Sequence, residues 1–168
     1  MYGFKDWEGF YICTHRANYN WQGDKAMIHF TVLGDPKAQK RHRNFARMGK
    51  GGKVFTGNYD PSKSEKETFA GIAHQFAPGR PLEGALQVDL IFYMPRPKNH
   101  FKTSKKGTFL KDDAPQWHVS RPDGDNLMKL VYDSLNGVFW RDDSQICYVV
   151  TKKKYSDRPR TEVYIYQL

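Results

Sequence analysis

The first regular pattern along the chain has a period of two. In MIHFTVLG, Ile28, Phe30 and Val32 alternate with His29, Thr31 and Leu33 until Gly34-Asp35-Pro36 breaks the run, which predicts a half-buried strand. The basic segment that follows carries Gly49, Gly51 and Gly52 before KVFTG and reads as a loose hairpin with a glycine-rich tip. The period then changes to that of a helix. Asp60 stands as the expected N-cap and Pro61 as the first helical residue, with Phe69, Ile72, Ala73 and Phe76 on one side before Pro78-Gly79. ALQVDLIFYM returns to period two and puts Leu86, Val88, Leu90, Phe92 and Met94 on one face of a strand. From Pro95 to about Trp117 no periodicity is legible, and the segment reads as a long basic loop.

A second helix is expected to start near Asp125 and end before Gly137, with Leu127, Leu130, Val131 and Leu135 buried. Asp125, Lys129 and Asp133 stand four apart on its other side, stacked on one exposed face. QICYVVTKKKY and TEVYIYQL read as two closing strands, expected to pair as a hairpin through SDRP. The order strand, hairpin, helix, strand, helix, strand, strand predicts an α/β (α+β) domain with a small mixed sheet and two main helices. At 168 residues the chain is the size of one domain. Residues 27–168 are taken as that domain and 1–26 as an N-terminal extension of unassigned role.

Composition narrows the class. No apolar run approaches the roughly 20 residues needed to cross a bilayer, and the N-terminus has neither the basic nor the apolar region of a signal peptide, so a cytoplasmic protein is expected. Cys13 and Cys147 are too few and too far apart for a zinc spacing, and are expected to be thiols. Lys and Arg number 27 against 18 Asp and Glu, a formal charge of +9, and the excess is clustered. Lys37, Lys40, Arg41, Arg43 and Arg47 form one block, Lys98 and Lys102 a second, Lys152 and Lys154 a third. Interleaved with Phe45, Phe101 and Tyr155, such blocks suit a phosphate backbone, because each cation seated on a phosphate releases condensed counterions.

Against that background the acidic residues are conspicuous. RPDGDNLMKLVYDSLNG and RDDSQ place Asp123, Asp125, Asp142 and Asp143 close in sequence within a basic chain. Capping explains one aspartate at a helix start, and a turn can explain another. A carboxylate pair at the helix entrance and a second pair where the chain returns into a strand suggest convergence on a cation. Hard oxygen ligands suit Mg²⁺, and a metal held among phosphate-binding side chains suggests phosphodiester hydrolysis. Lys129, one turn into the helix, would favour the developing phosphoryl or leaving-group charge. The chain has no G-x-x-x-x-G-K-[ST] and no H-E-x-x-H, so neither a nucleotide cofactor nor a zinc hydrolase is expected. His118, beside the basic loop, is the histidine placed nearest the site.

HVSRPDGDNLMKLVYDSLNG, WRDDSQI and the following TKKKY together resemble the RusA family of Holliday junction resolvases, marked by a PD-x-D-N-L-x-K helix start and a downstream D-D-x-Q. GDPKAQKRHR and MPRPKNHF are similar to the family pattern too, so the resemblance covers residues 27–168. Where many members have Arg-Pro-Arg, this chain has Arg41-His42-Arg43. The resemblance implies Mg²⁺-dependent cleavage of four-way DNA junctions by paired symmetric nicks from a homodimer, with Mn²⁺ able to substitute. It implies metal-binding or catalytic roles for Asp123, Asp125 and Asp143 and the essential lysine for Lys129, with Asp142 and Asp133 at further acidic positions. Two other readings remain at this stage: a nuclease for flaps or forks, and a nucleic-acid-binding module whose carboxylates are structural.

Overall fold

The computed structural model describes residues 27–168, so the extension 1–26, with Cys13 and the aromatics Tyr2, Phe4, Trp7, Phe10 and Tyr11, lies outside it. Four strands form the central sheet: β1 (Met27–Leu33), β4 (Leu86–Pro95), β7 (Ile146–Ser156) and β8 (Arg160–Gln167). Their order is β1-β8-β4-β7, with β4 parallel to β7 and antiparallel to β8. The sheet is therefore mixed, as expected. Two helices, α1 (Lys63–Ala73) and α2 (Gly124–Leu135), cover one face.

The core is what the alternation demanded. Ile28, Phe30 and Val32 of β1, Leu86 to Met94 at every second position of β4, and Val163 and Ile165 of β8 are buried together. Leu127, Leu130, Val131 and Leu135 of α2 close over them, joined by Phe139 and Trp140 just beyond the helix. Gly137 has φ +75°, the left-handed conformation that ends α2. From α1 come Phe69 and Ala73, while Phe76, in the short 3₁₀ turn His74–Phe76, stacks on Phe30 at 5.4 Å. Ile72, expected in that set, is 36% exposed instead.

Three expectations need correcting. The first concerns the closing strands, which do not pair with each other: β4 lies between them, so Asp157–Pro159 carries the chain across the end of β4. A parallel partner for β4 needs a crossover, and α2 is that crossover. The second concerns Asp60, which precedes the helix rather than capping it. Its Oδ1 accepts a bond from the Ser62 amide at 2.8 Å, and Ser62 holds the N-cap position. The third is the basic loop, which contains a 3₁₀ turn (Lys98–His100) and a small hairpin of β5 (Phe101–Ser104) and β6 (Gly107–Leu110). The basic hairpin after β1 is present as β2 (Arg43–Met48) and β3 (Val54–Tyr59).

Candidate active site

In a strand-helix-strand unit the helix runs against the strands, so the entrance of α2 lies beside the second half of β7. A Cβ placed on Gly124 would sit 3.9 Å from Thr151 Cγ2, and Lys153 Nζ donates to the carbonyls of Ser120 (3.0 Å) and Pro122 (2.7 Å). Lys153 thereby fixes the loop that ends at Asp123. His118 is buried behind the same loop, its amide bonded to the Lys153 carbonyl at 3.2 Å and its ring 4.8 Å from that of Tyr155. Burial, and then the nearby Lys153 charge, hold the His118 pKa below the usual imidazole value, so at neutral pH it is an uncharged support. Trp117, His118, Gly124, Asp125, Met128 and Thr151 border an open cleft of about 480 Å³ together with Lys152 and Lys153.

Asp123 holds the N-cap position of α2 in extended conformation, yet its side chain makes no capping bond. Capping therefore does not explain this carboxylate. Asp125, one turn from Lys129, lies 3.3 Å from its ammonium, and both side chains are more than half exposed. The remaining aspartates are otherwise engaged. Asp133 accepts from Gln39 at 2.9 Å and from Lys66 at 3.0 Å. Asp142 caps the 3₁₀ turn Asp143–Gln145, accepting from Ser144 N at 2.9 Å, with Gln145 completing a capping box. The Ser144 bonds also hold the Asp142 pKa below its usual value. Asp143 accepts from the Trp140 indole at 2.7 Å. The Trp140 ring stands edge-on to Tyr132 at 5.9 Å, which puts Asp143 beside the second half of α2, and burial and then the Asp143 charge push the Tyr132 pKa up to about 12.

The expected convergence of three or four carboxylates is therefore not present within one chain. Among the described residues no three His, Cys, Asp or Glu side chains stand close enough to share a metal ion. The reason is topological. The chain enters β7 at its start, whereas the entrance of α2 faces the other half of β7, and Asp125 and Tyr132 are seven residues apart, about 10 Å of helix. What the fold does assemble is Asp123, Asp125 and Lys129 at one helix entrance. Two exposed carboxylates, of which Asp125 borders the open cleft, fit a hard divalent cation of the kind that keeps several waters and takes one or two carboxylates alongside phosphate oxygens.

The candidate DNA-binding residues are distributed around this entrance. The segment after β1 is tied to α2 by a bond from Gln39 N to Asn126 O at 2.8 Å, so the basic β2–β3 ribbon is rooted next to Asp125. Lys37, Arg41, Arg43 and Arg47 are exposed there. Lys40 is engaged internally, its amide on Ser62 Oγ and its ammonium on Glu65, both at 2.8 Å. Lys98 is exposed in its 3₁₀ turn, and Lys102 lies 3.1 Å from Asp112. Lys152 and Lys154 share the strand face opposite Lys153, and Lys154 sits 5.0 Å from the centre of the Trp117 ring. Sequence reasoning missed Lys153 altogether, because within TKKK its only distinguishing signal is the phase of the strand.

The family model described as endodeoxyribonuclease RusA matches residues 34–166. The chain belongs to the RusA family. It is thus an endodeoxyribonuclease by family, a hydrolase of phosphodiester bonds. Two relatives are similar to this chain, one of them named for the family. A Bacillus subtilis (strain 168) protein, "Uncharacterized protein YqaN", is 37% identical over 143 residues, covering 82% of this chain and 94% of its own. "Crossover junction endodeoxyribonuclease rusA" of Lactococcus phage r1t is 43% identical over 51 residues, 30% of this chain and 39% of the phage protein. The RusA match begins at the end of β1 and so contains the ribbon, both helices and the whole acidic set.

Proposed function

We propose that this RusA-family chain resolves four-way DNA junctions by Mg²⁺-dependent phosphodiester hydrolysis, as a homodimer in the cytoplasm of a bacterial or phage-infected cell. The observation that carries the reading is the pair Asp123 and Asp125. They are exposed carboxylates with no capping role, held at a helix entrance in a chain of net charge +9. Asp123 and Asp125 would hold the ion, whose chemistry there is to acidify a bound water and neutralise phosphate charge. Lys129 sits one helical turn away and places a cation where the leaving oxygen gains charge. Lys153 holds the Ser120–Pro122 loop and with it the position of Asp123. Arg41, Arg43, Arg47, Lys152 and Lys154 supply phosphate contacts around the entrance, which set affinity and orientation rather than chemistry.

The test is a cleavage assay on a synthetic four-way junction, a flap, a fork and a linear duplex of matched sequence, with Mg²⁺ and with chelator. Paired nicks at the junction that require the metal are expected. Metal-dependent cutting confined to flaps or forks would move the substrate to other branched DNA. No cutting of any DNA by folded protein would sink the reading.

A further inference from the structure

The β2–β3 ribbon stands outside the core: none of its side chains belongs to the buried cluster, and every residue from Arg41 to Tyr59 is exposed or half-buried. It contains no Asp or Glu. The antiparallel register sets Arg43 opposite Tyr59, Phe45 opposite Gly57 and Arg47 opposite Phe55. Side chains alternate between the faces of a strand, so these six residues share one face. That face interleaves aromatic rings with guanidinium groups, while the other carries Asn44, Ala46, Thr56 and Asn58, with Met48 and Val54 near the tip, and no aromatic ring or charge.

The two phenylalanines are seated on glycines. A Cβ on Gly57 would come within 2.5 Å of the Phe45 ring, and one on Gly49 within 2.6 Å of the Phe55 ring. Neither glycine has a positive φ, so the backbone there is one that other residues adopt. What each glycine provides is a bare surface on which a ring can lie. One side of each ring is thus covered while much of the rest is open, with Phe45 45% and Phe55 60% exposed. Covering a bare backbone accounts for the inner sides of the rings. It leaves unexplained why their outer sides are presented to solvent between Arg43 and Arg47, on a ribbon without acids.

We infer that this face is a stacking platform for unpaired nucleobases, with Phe45 and Phe55 taking base π-faces and Arg43 and Arg47 the adjoining phosphates. Stacking on aromatic rings tolerates any base, and a basic groove beside them tracks the backbone. A continuous duplex hides its base faces within the stack, whereas a branch point exposes them. The platform therefore selects for strand separation without reading sequence. Its root at Gln39, bonded to Asn126, sets it next to the Asp123–Asp125 entrance. The inference rests on the proposed action on branched DNA and adds the element that recognises the branch.

The test uses the full chain in chelator, with Phe45→Ala, Phe55→Ala, the double variant, and Phe45→Leu, which keeps apolar bulk but has no π-face. Affinities are measured for a mixed-sequence single strand, a four-way junction and a linear duplex, along with the fluorescence of 2-aminopurine at the branch point. Single-strand and junction binding should fall about tenfold per ring removed, while duplex binding and its salt dependence stay the same. The branch-point fluorescence change should disappear in the double variant, and Phe45→Leu should behave like Phe45→Ala. Melting temperatures should not move, since neither ring touches the core. An unchanged junction-to-duplex ratio in the double variant overturns the platform, as does full binding by Phe45→Leu. Ring-dependent single-strand binding by a protein that cuts no DNA upholds the platform and overturns the nuclease reading. Normal junction cleavage with unchanged binding ratios does the reverse.

Discussion

At the scale of single residues, the structure separates aspartates that have a structural task from those that have none. Asp142 caps a turn and Asp133 is paired, so Asp142→Asn is expected to act mainly on local stability. Asp123 and Asp125 have no comparable task, since Asp123 makes no capping bond and Asp125 meets only the exposed Lys129 one turn away, and Asp123→Asn and Asp125→Asn keep side-chain size while removing a charge from the proposed metal site. Each should abolish cleavage at unchanged circular dichroism, and binding in chelator should hold or tighten because fewer negative charges face the phosphates. Full cleavage by the folded variants would remove this entrance from the chemistry. Lys153 is tested differently. Lys153→Met keeps the stem but frees the Ser120 and Pro122 carbonyls, so kcat should drop about 10- to 100-fold through misplacement of Asp123, with little change in KM. His118 should titrate at higher pH in the same variant, because the lysine charge that helps depress its pKa is gone. An unmoved His118 titration would mean that Lys153 does not face this loop in solution. The Asp123, Asp125 and Lys129 set was legible in the sequence because helix spacing alone puts it at one entrance. Lys153 was hidden because its neighbours in the basic run have the same chemistry, and only the sheet decides which of them turns inward.

Between elements, α1 is bound to its surroundings by charge more than by caps. Lys66 pairs with both Asp60 and Asp133, joining the start of α1 to α2. The bond from Lys66, then that from the Ser62 amide, lowers the Asp60 pKa. Burial disfavours the Lys66 charge, but its bonds to the two aspartates outweigh that and raise its pKa. A carboxylate with a depressed folded pKa contributes stability above its unfolded pKa and loses it as pH falls through the folded one. Asp60→Asn should therefore cost about 1–2 kcal/mol at neutral pH, and the difference from the parent protein should begin to shrink near the ordinary carboxylate value of 3.8 and vanish only in stronger acid, once the pH has fallen through the lower folded pKa. A penalty that persists there in chemical denaturation would assign it to the Ser62 turn instead. Strand and helix identities were readable from period-two and period-3.6 patterns, since burial on one face writes itself into local sequence. The split of β7 from β8 by β4 was not. SDRP has the composition of a hairpin turn, and both strands show alternations that would suit direct pairing. What separates them is the parallel partner β4 acquires through α2, a long-range fact with no local mark. The β5–β6 hairpin escaped for the opposite reason: its strands are four residues each and almost wholly exposed, so no burial pattern exists to read.

For the whole molecule, the basic surface and the divided acidic set make distinct demands. Replacing Arg41, Arg43 and Arg47 together should reduce the slope of log K against log salt by about 0.9 per lost phosphate contact on duplex DNA, whereas Lys40→Ala should act mainly on stability through Glu65. An unchanged slope in the triple variant would take the ribbon out of the interface. The acidic set bears on assembly. Paired nicks at a two-fold branch would need two sites, and among the described residues one chain has one acidic helix entrance, so a C₂ dimer would match the symmetry of the proposed substrate. Asp143 is one of the acidic residues that the resemblance singles out, but it is bonded to Trp140 beside the second half of α2 and, among the described residues, forms no metal-sized cluster with Asp123 and Asp125. A dimer that unites the three does so across subunits. Asp125→Asn and Asp143→Asn, each inactive alone, should then recover activity on mixing, since a mixed dimer has one wholly intact site: the unaltered Asp123 and Asp125 of one chain beside the unaltered Asp143 of the other. About half of randomly mixed dimers should nick, on one strand only. A mixture as inactive as its parents, shown by differential tagging to contain mixed dimers, would place Asp143 outside the partner's site and leave it as the acceptor that holds Trp140 at the end of α2.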